Sequence, residues 1–400
     1  MKKSPLRVLA AACIVAAGFC FVATVFVVGL NNKSAAERDF ISYWAAGQQL
    51  MHGANPYDFE AVRNLERSAG REDREALLVM RNPPVALFVA APLGLVSPKS
   101  GLVLWLLVLL AGLSISIFVI WILNGRPDNR LHLLGYFFAP AIACLMAGQF
   151  GIFLLLGVVF FLYFHQSRPF LAGAALLLCA LKPHMFLPFA VVLLVWAVYR
   201  KAYLILAGFS AALLASCAFS FFLDANAWPQ YSQMMRTGGA LNEPVPTLAV
   251  TLRFLVNRDA VWLQFLPAVA GCCWALWYYW TRRNRWNWLE EGMVLLLVSA
   301  MCAPFGWFTD ESLLLPAVLA GVYRAVSARR SLLPLGLISV VALIEVFREV
   351  DLTSRYYLWS TPAWLGWYLY ATRKSGTDPL SSALHWQFRR HRIPADDRQE

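Results

Sequence analysis

The sequence predicts an all-α, polytopic transmembrane protein, and three observations carry that prediction. Only 14% of its 400 residues are charged and 60% are hydrophobic, where a soluble domain averages about 25% charged. Apolar runs near the ~20 residues that a helix needs to cross a bilayer recur from end to end, for example 8–30, 100–123, 202–223 and 260–281. Lys and Arg gather in short connections such as "YRK" at 199–201, "RRNR" at 282–285 and "ARR" at 328–330, the pattern of cytoplasmic loops.

Taken in order, the basic start (Lys2, Lys3, Arg7) places the N-terminus inside. The run 8–30 is longer than the apolar core of a signal peptide, so an uncleaved first span is expected. The loop 31–82 then lies outside. Within it Phe40, Tyr43, Trp44, Gly47, Leu50 and Met51 share one helical face, and Gly53 with Asn55-Pro56 supplies a stop. This predicts a short helix over 40–52 lying in the membrane surface, with Tyr43 and Trp44 as interfacial aromatics at headgroup level. A second helix over 57–69 carries Glu60, Arg63 and Arg67 at spacings that allow mutual pairing. Residues 83–97 are too short and proline-rich to span, and are expected to be re-entrant or interfacial.

Ten further runs follow the first two: 131–147, 150–165, 169–181, 185–199, 202–223, 260–281, 290–306, 311–326, 332–347 and 356–372. With 8–30 and 100–123 they make about twelve spans, both termini inside. One membrane domain over 1–372 and a basic cytoplasmic tail over 373–400 are expected. The shortness of several middle runs suits broken helices that line a cavity.

This topology collects the unusual polar residues on the external face. Asp39 heads the helix at 40–52, where it can cap the helix or serve as a fixed general base. "LKPH" at 181–184 breaks two apolar runs, so Lys182 and His184 can hold an anionic headgroup or phosphate, or Lys182 can snorkel from a helix end. "WFTDES" at 307–312 offers Asp310 and Glu311, with Asp310 as a loop cap or a site residue. Arg81, Asn82, Arg348 and Arg355 are further external candidates for phosphate, and Glu345 is expected near the outer surface.

The net charge of +11 is scattered over loops and the tail, which points to anionic lipid and excludes a nucleic-acid face. The eight cysteines all lie in apolar runs without a CxxC pair, so neither disulfides nor zinc are indicated. Gly-rich nucleotide loops, HExxH and Ser-His-Asp patterns are absent from the sequence, and neither a cofactor nor a metal is expected.

"RDFISYWAAGQQLMHGANPYD" followed by "RNPPVALFVAAPLGLV" resembles the first loop of glycosyltransferase family 87. The later marks follow in order: "AGQFGIFLLL" for a GQ-x-N-x-L-L element, "AGAALLLCALKPHMFLPF" for a Lys-Pro element and "APFGWFTDESLLLPAVL" for a Ser-Pro-x-Ser-Trp-x-x-Asp element. Departures are Gly151 where the family often has Asn, His184 where Gln is common, and Ala303 and Gly306 in place of serines. They bear on substrate identity more than on reaction class.

The resemblance implies a GT-C fold and a polyprenyl-phosphate sugar donor, usually mannosyl, used on the outer face of the bacterial inner membrane. It implies Asp39 as the catalytic acidic residue. Arg81, Gln149, Lys182, His184, Asp310 and Arg355 are then the expected substrate-binding residues, and the partners are the donor, a lipid or glycan acceptor and membrane lipids. Two other classes are open: a secondary transporter or lipid flippase, which many spans, broken helices and intramembrane charge would also fit, and a non-catalytic assembly protein. A transporter favours midplane charge and related halves, and no internal repeat is visible in the sequence.

Overall fold

The computed structural model describes residues 35–72, 76–237, 243–348 and 355–373. No strand occurs among them. The α-helices of seven residues or more are α1 (Phe40–Met51), α2 (Phe59–Ser68), α3 (Pro98–Leu123), α4 (Ala139–Ala147), α5 (Gly151–Phe164), α6 (Pro169–Ala175), α7 (Leu187–Tyr199) and α8 (Tyr203–Leu223). They continue with α9 (Ala227–Thr237), α10 (Leu248–Val256), α11 (Leu266–Arg282), α12 (Glu291–Met301), α13 (Leu315–Ser327), α14 (Leu333–Phe347) and α15 (Ser360–Thr372). The span expected at 8–30, the basic N-terminus and the tail beyond residue 373 lie outside the described residues.

Among the described residues, three helical stretches are long and apolar enough to cross a membrane: α3, α8, and Val261–Arg285, which contains α11. On α3 the buried stripe holds Leu102, Trp105, Leu106, Leu109 and Leu113, while Leu104, Leu107, Val108, Ile115 and Phe118 stand exposed. A helix apolar on both its packed and its open face has lipid as its solvent. Shorter apolar stretches of 10–17 residues, some of them helices merged with an adjoining 3-10 turn as in Pro169–Leu181 and Pro183–Tyr199, make up much of the rest. Two expected spans are broken near a proline: 131–147 divides into a 3-10 turn (Leu131–Phe137) and α4, with Pro140 at the joint. A 3-10 turn over Phe308–Leu314 likewise precedes α13, which carries Pro316 in its first turn.

The structure corrects the expected surface position of α1. Tyr43 and Trp44 are 3% and 4% exposed, inside the protein and not at its rim. Residues 84–96 fold over the helix: the Trp44 indole donates to the Val96 carbonyl (2.9 Å) and the Gln48 amide to the Gly94 carbonyl (2.9 Å). On another side Tyr43 packs against Phe150 and Trp105, with ring centroids 4.3 and 5.6 Å away. Residues 40–47 and Leu50 are all buried, and only the end of α1 at Gln48, Gln49 and Met51 is partly exposed.

In the following helix Arg67 approaches the Asn64 side chain (3.4 Å). Glu66 is buried at 1% exposure, accepts from the Leu78 amide (3.0 Å) and lies 3.6 Å from Arg71. Arg71 in turn donates to the carbonyls of Ala76 and of Ala36 (2.7 Å), which ties the loop back to the residues just before α1.

Candidate active site

The site is built on the turn at 146–150. Its pivot is Gly148, whose φ of +71° ends α4 in the left-handed region. A Cβ there would also lie 2.8 Å from the Phe40 Cβ, so conformation and space both require glycine. The Gly148 carbonyl accepts from the Trp105 indole (2.7 Å), which pins the turn to α3.

Residues 38–43 dock on this turn one after another. Arg38 donates to the Met146 carbonyl, Phe40 packs on Gly148, and the Gln149 amide nitrogen donates to Oδ2 of Asp39. The Tyr43 hydroxyl donates to Oε1 of Gln149 (3.2 Å). Asp39 heads α1, yet its carboxyl makes no capping bond to the helix; its backbone carbonyl instead accepts from the Ser42 amide and hydroxyl (3.1 and 2.7 Å). The capping role open from sequence is therefore not the one the carboxyl takes.

Asp39 is partly exposed, at the rim of a cluster whose other members are buried. Burial raises its pKa above the ordinary carboxylate range. The Gln149 hydrogen bond and the charges of Lys182 and Arg71 pull the other way, and the Asp310 charge adds to the rise.

Lys182 sits between two 3-10 turns, Leu176–Leu181 and Pro183–Phe186. Pro183 disfavours helical backbone at the residue before it, and Lys182 adopts φ −140°, ψ 71°. Its ammonium donates to Oδ1 of Asp310 (2.7 Å) and to Oε1 of Gln149 (3.3 Å). Asp310 is fully buried and divides its work: Oδ1 meets Lys182, while Oδ2 accepts from the Trp307 amide (3.1 Å) at the start of the 308–314 turn. That turn reaches the site because Gly151, at the head of α5, lets the Thr309 carbonyl approach; a Cβ at 151 would lie 2.3 Å from that oxygen. Asp39, Gln149, Lys182 and Asp310 thus form one continuous chain of contacts, drawn from four separate parts of the sequence.

A family model for glycosyltransferase family 87 matches residues 81–304, more than half of the chain. The chain belongs to that family. No curated protein and no solved structure matches it. Gln149 and Lys182 fall inside the matched residues of this glycosyltransferase; Asp39 and Asp310 lie outside them and are brought in by the fold.

Other expected residues of the glycosyltransferase stand apart from the chain of contacts. Arg81 directs both ends of its guanidinium onto the Glu243 carboxylate, with each side chain about one-third exposed. Asn82 donates to the Leu181 carbonyl (2.9 Å), one residue from Lys182. His184 is half-buried with its ring edge-on to Phe305, 5.9 Å between centroids. Arg355 opens the turn Arg355–Tyr357, and its side chain lies outside the described residues. Glu345 accepts from the Trp359 indole (3.3 Å).

Several contributors were not readable from the sequence. Tyr43 carries a hydroxyl that holds Gln149, where residue type pointed only to a membrane belt. The sequence singles out Glu311 beside Asp310, but not its partners: Glu311 is buried and accepts from Ser360 (2.5 Å), Thr361 (3.2 Å) and the Trp364 indole (2.9 Å), so it fastens α15 beside Asp310. The Arg81–Glu243 pair joins segments 162 residues apart, a separation that carries no sign of contact.

Proposed function

We propose that this protein is an inverting hexosyltransferase of the GT-C type. It moves a sugar, mannose by its family resemblance, from a polyprenyl-phosphate donor to a lipid or glycan acceptor on the outer face of the bacterial inner membrane. The observation that carries the reading is the Asp39 carboxyl: in a glycosyltransferase chain it is relieved of capping, held by Gln149 and left partly exposed. A general base needs that fixed, reachable geometry. The loop 31–82 is then external and about twelve spans carry the fold, with both termini inside.

In the reaction the acceptor hydroxyl oxygen attacks the anomeric carbon and its proton passes to the Asp39 carboxylate. The bond between that carbon and the phosphate oxygen breaks, and polyprenyl phosphate leaves with the electron pair. Because the leaving group is a stable anion, cations matter more than a general acid. An ammonium has three donors, and Lys182 commits two, to Asp310 and Gln149. The third can face a phosphate oxygen, and Arg81 or Arg355 can add charge at the mouth of the site.

The test is transfer by the purified protein in detergent, using radiolabelled polyprenyl-phosphate mannose and polyprenyl-phosphate glucose with a membrane lipid extract as acceptor. Label moving from donor into a new product is expected with one of the two. Transfer from nucleotide sugars alone would contradict the donor assignment, and no transfer from any activated sugar would contradict the enzyme.

A further inference from the structure

We infer that Gln149 is a positioning residue, whose side chain aims the Asp39 carboxyl for proton transfer and does not itself contact sugar or phosphate. The inference deepens the reading of Asp39 as general base and rests on it. It also reassigns Gln149, which the family resemblance implies as substrate-binding.

Both ends of the Gln149 amide are committed. Its nitrogen donates to Asp39, and its oxygen accepts from the Tyr43 hydroxyl (3.2 Å) and the Lys182 ammonium (3.3 Å). Only one orientation satisfies this arrangement. Turning the amide over would set its oxygen against the Asp39 carboxylate and its NH2 against the Lys182 ammonium. The residue is 8% exposed. Its backbone is clamped as well: the amide donates to the Cys144 carbonyl (3.0 Å), and the Gln149 carbonyl accepts from the Cys144 thiol (3.1 Å). A side chain so held cannot swing toward a ligand, whereas Asp39 has, among the described residues, Gln149 as its carboxyl's hydrogen-bond partner.

The titratable groups that face Asp39 are the charged Lys182, Asp310 and Arg71 from other elements, with the charged Glu37 and Arg38 and the uncharged Tyr43 hydroxyl nearby on its own. The Gln149 donor is the neutral contact among them, and a hydrogen bond to the ionised form favours that form. Losing it should therefore raise the pH at which Asp39 ionises.

Gln149→Met keeps the length of the side chain and removes both donor and acceptor. Asp39 is followed by its carboxyl band in difference infrared spectra of the purified full-length protein, with Asp39→Asn spectra identifying the band. Its titration is expected about one pH unit or more higher in Q149M, the size of one charged hydrogen bond lost. With polyprenyl-phosphate mannose as donor, kcat should fall while the donor KM stays within about twofold. Tyr43→Phe should move the titration in the same direction by less. Where Q149M does not reach the parental yield, Q149N, too short to span Asp39 and Lys182 together, is measured in the same way. An unmoved Asp39 titration, or a raised donor KM with kcat unchanged, overturns the inference. Transfer by Asp39→Asn at the parental rate sinks the general-base reading instead, and the infrared titration still decides the positioning.

Discussion

Lys182 and Asp310 meet 2.7 Å apart with almost no solvent, so each is the condition for the other's burial. Removing one charge of such a pair strands its partner and typically costs about 3–5 kcal/mol. Lys182→Met is therefore expected to unfold at markedly lower temperature in detergent, and Lys182→Met with Asp310→Asn together to recover much of the loss. A double variant no more stable than the single would show that the pair is not what holds these residues. Asp39 gives a second expectation through its raised pKa, caused first by burial. The folded protein then binds this proton more tightly than the unfolded chain, so the contribution to stability is full in acid and is lost as pH rises through the folded pKa. Asp39→Asn should match the parental melting temperature in acid and exceed it at higher pH, and a lower melting temperature at high pH would reverse the sign. Lys182 and Asp310 were legible singly, as charges interrupting apolar runs. Their partnership was not, because 128 residues separate them and nothing in their spacing encodes contact.

Two short turns, 146–150 and 308–314, bring the site together, and glycine controls the approach between them. Gly151→Ala would place a methyl 2.3 Å from the Thr309 carbonyl oxygen, a backbone atom that cannot simply step aside. Overpacking of this kind costs about 1–3 kcal/mol. The variant is expected to melt lower and to lose transfer by moving Asp310 off Lys182, and unchanged transfer with unchanged melting would remove Gly151 from the account. The same contact gives physical content to the glycine that stands where the family often has Asn. The Lys-Pro break and the Gly-Gln turn were legible because proline and glycine act locally on the backbone. The burial of α1 was misjudged for a different reason. Its apolar stripe was visible in Phe40, Tyr43, Trp44 and Leu50, but what covers it is residues 84–96, a segment too irregular for periodicity to place.

Across the whole molecule the all-α membrane class followed from composition and from the recurrence of apolar runs, since lipid leaves helices few alternatives. Element boundaries followed less well, because 3-10 turns and proline joints divide runs that hydropathy reads as continuous. The external placement of the first loop is tested by a cysteine at the exposed Ser68 in an otherwise cysteine-free variant. It should react with a membrane-impermeant thiol reagent in intact cells whose outer envelope is permeabilised, and labelling only after inner-membrane lysis would put the site on the wrong side. The central claim is that Asp39 is the base of a sugar transfer. Asn caps a helix about as well as Asp, and it can still accept the Gln149 hydrogen bond, so Asp39→Asn removes the base with little else. The decisive measurement is the rate of transfer from radiolabelled polyprenyl-phosphate hexose by parental and Asp39→Asn proteins of equal yield, each assayed well below its own melting temperature. A fall of about 10²–10⁴ in rate is predicted, and transfer at near the parental rate would contradict the account.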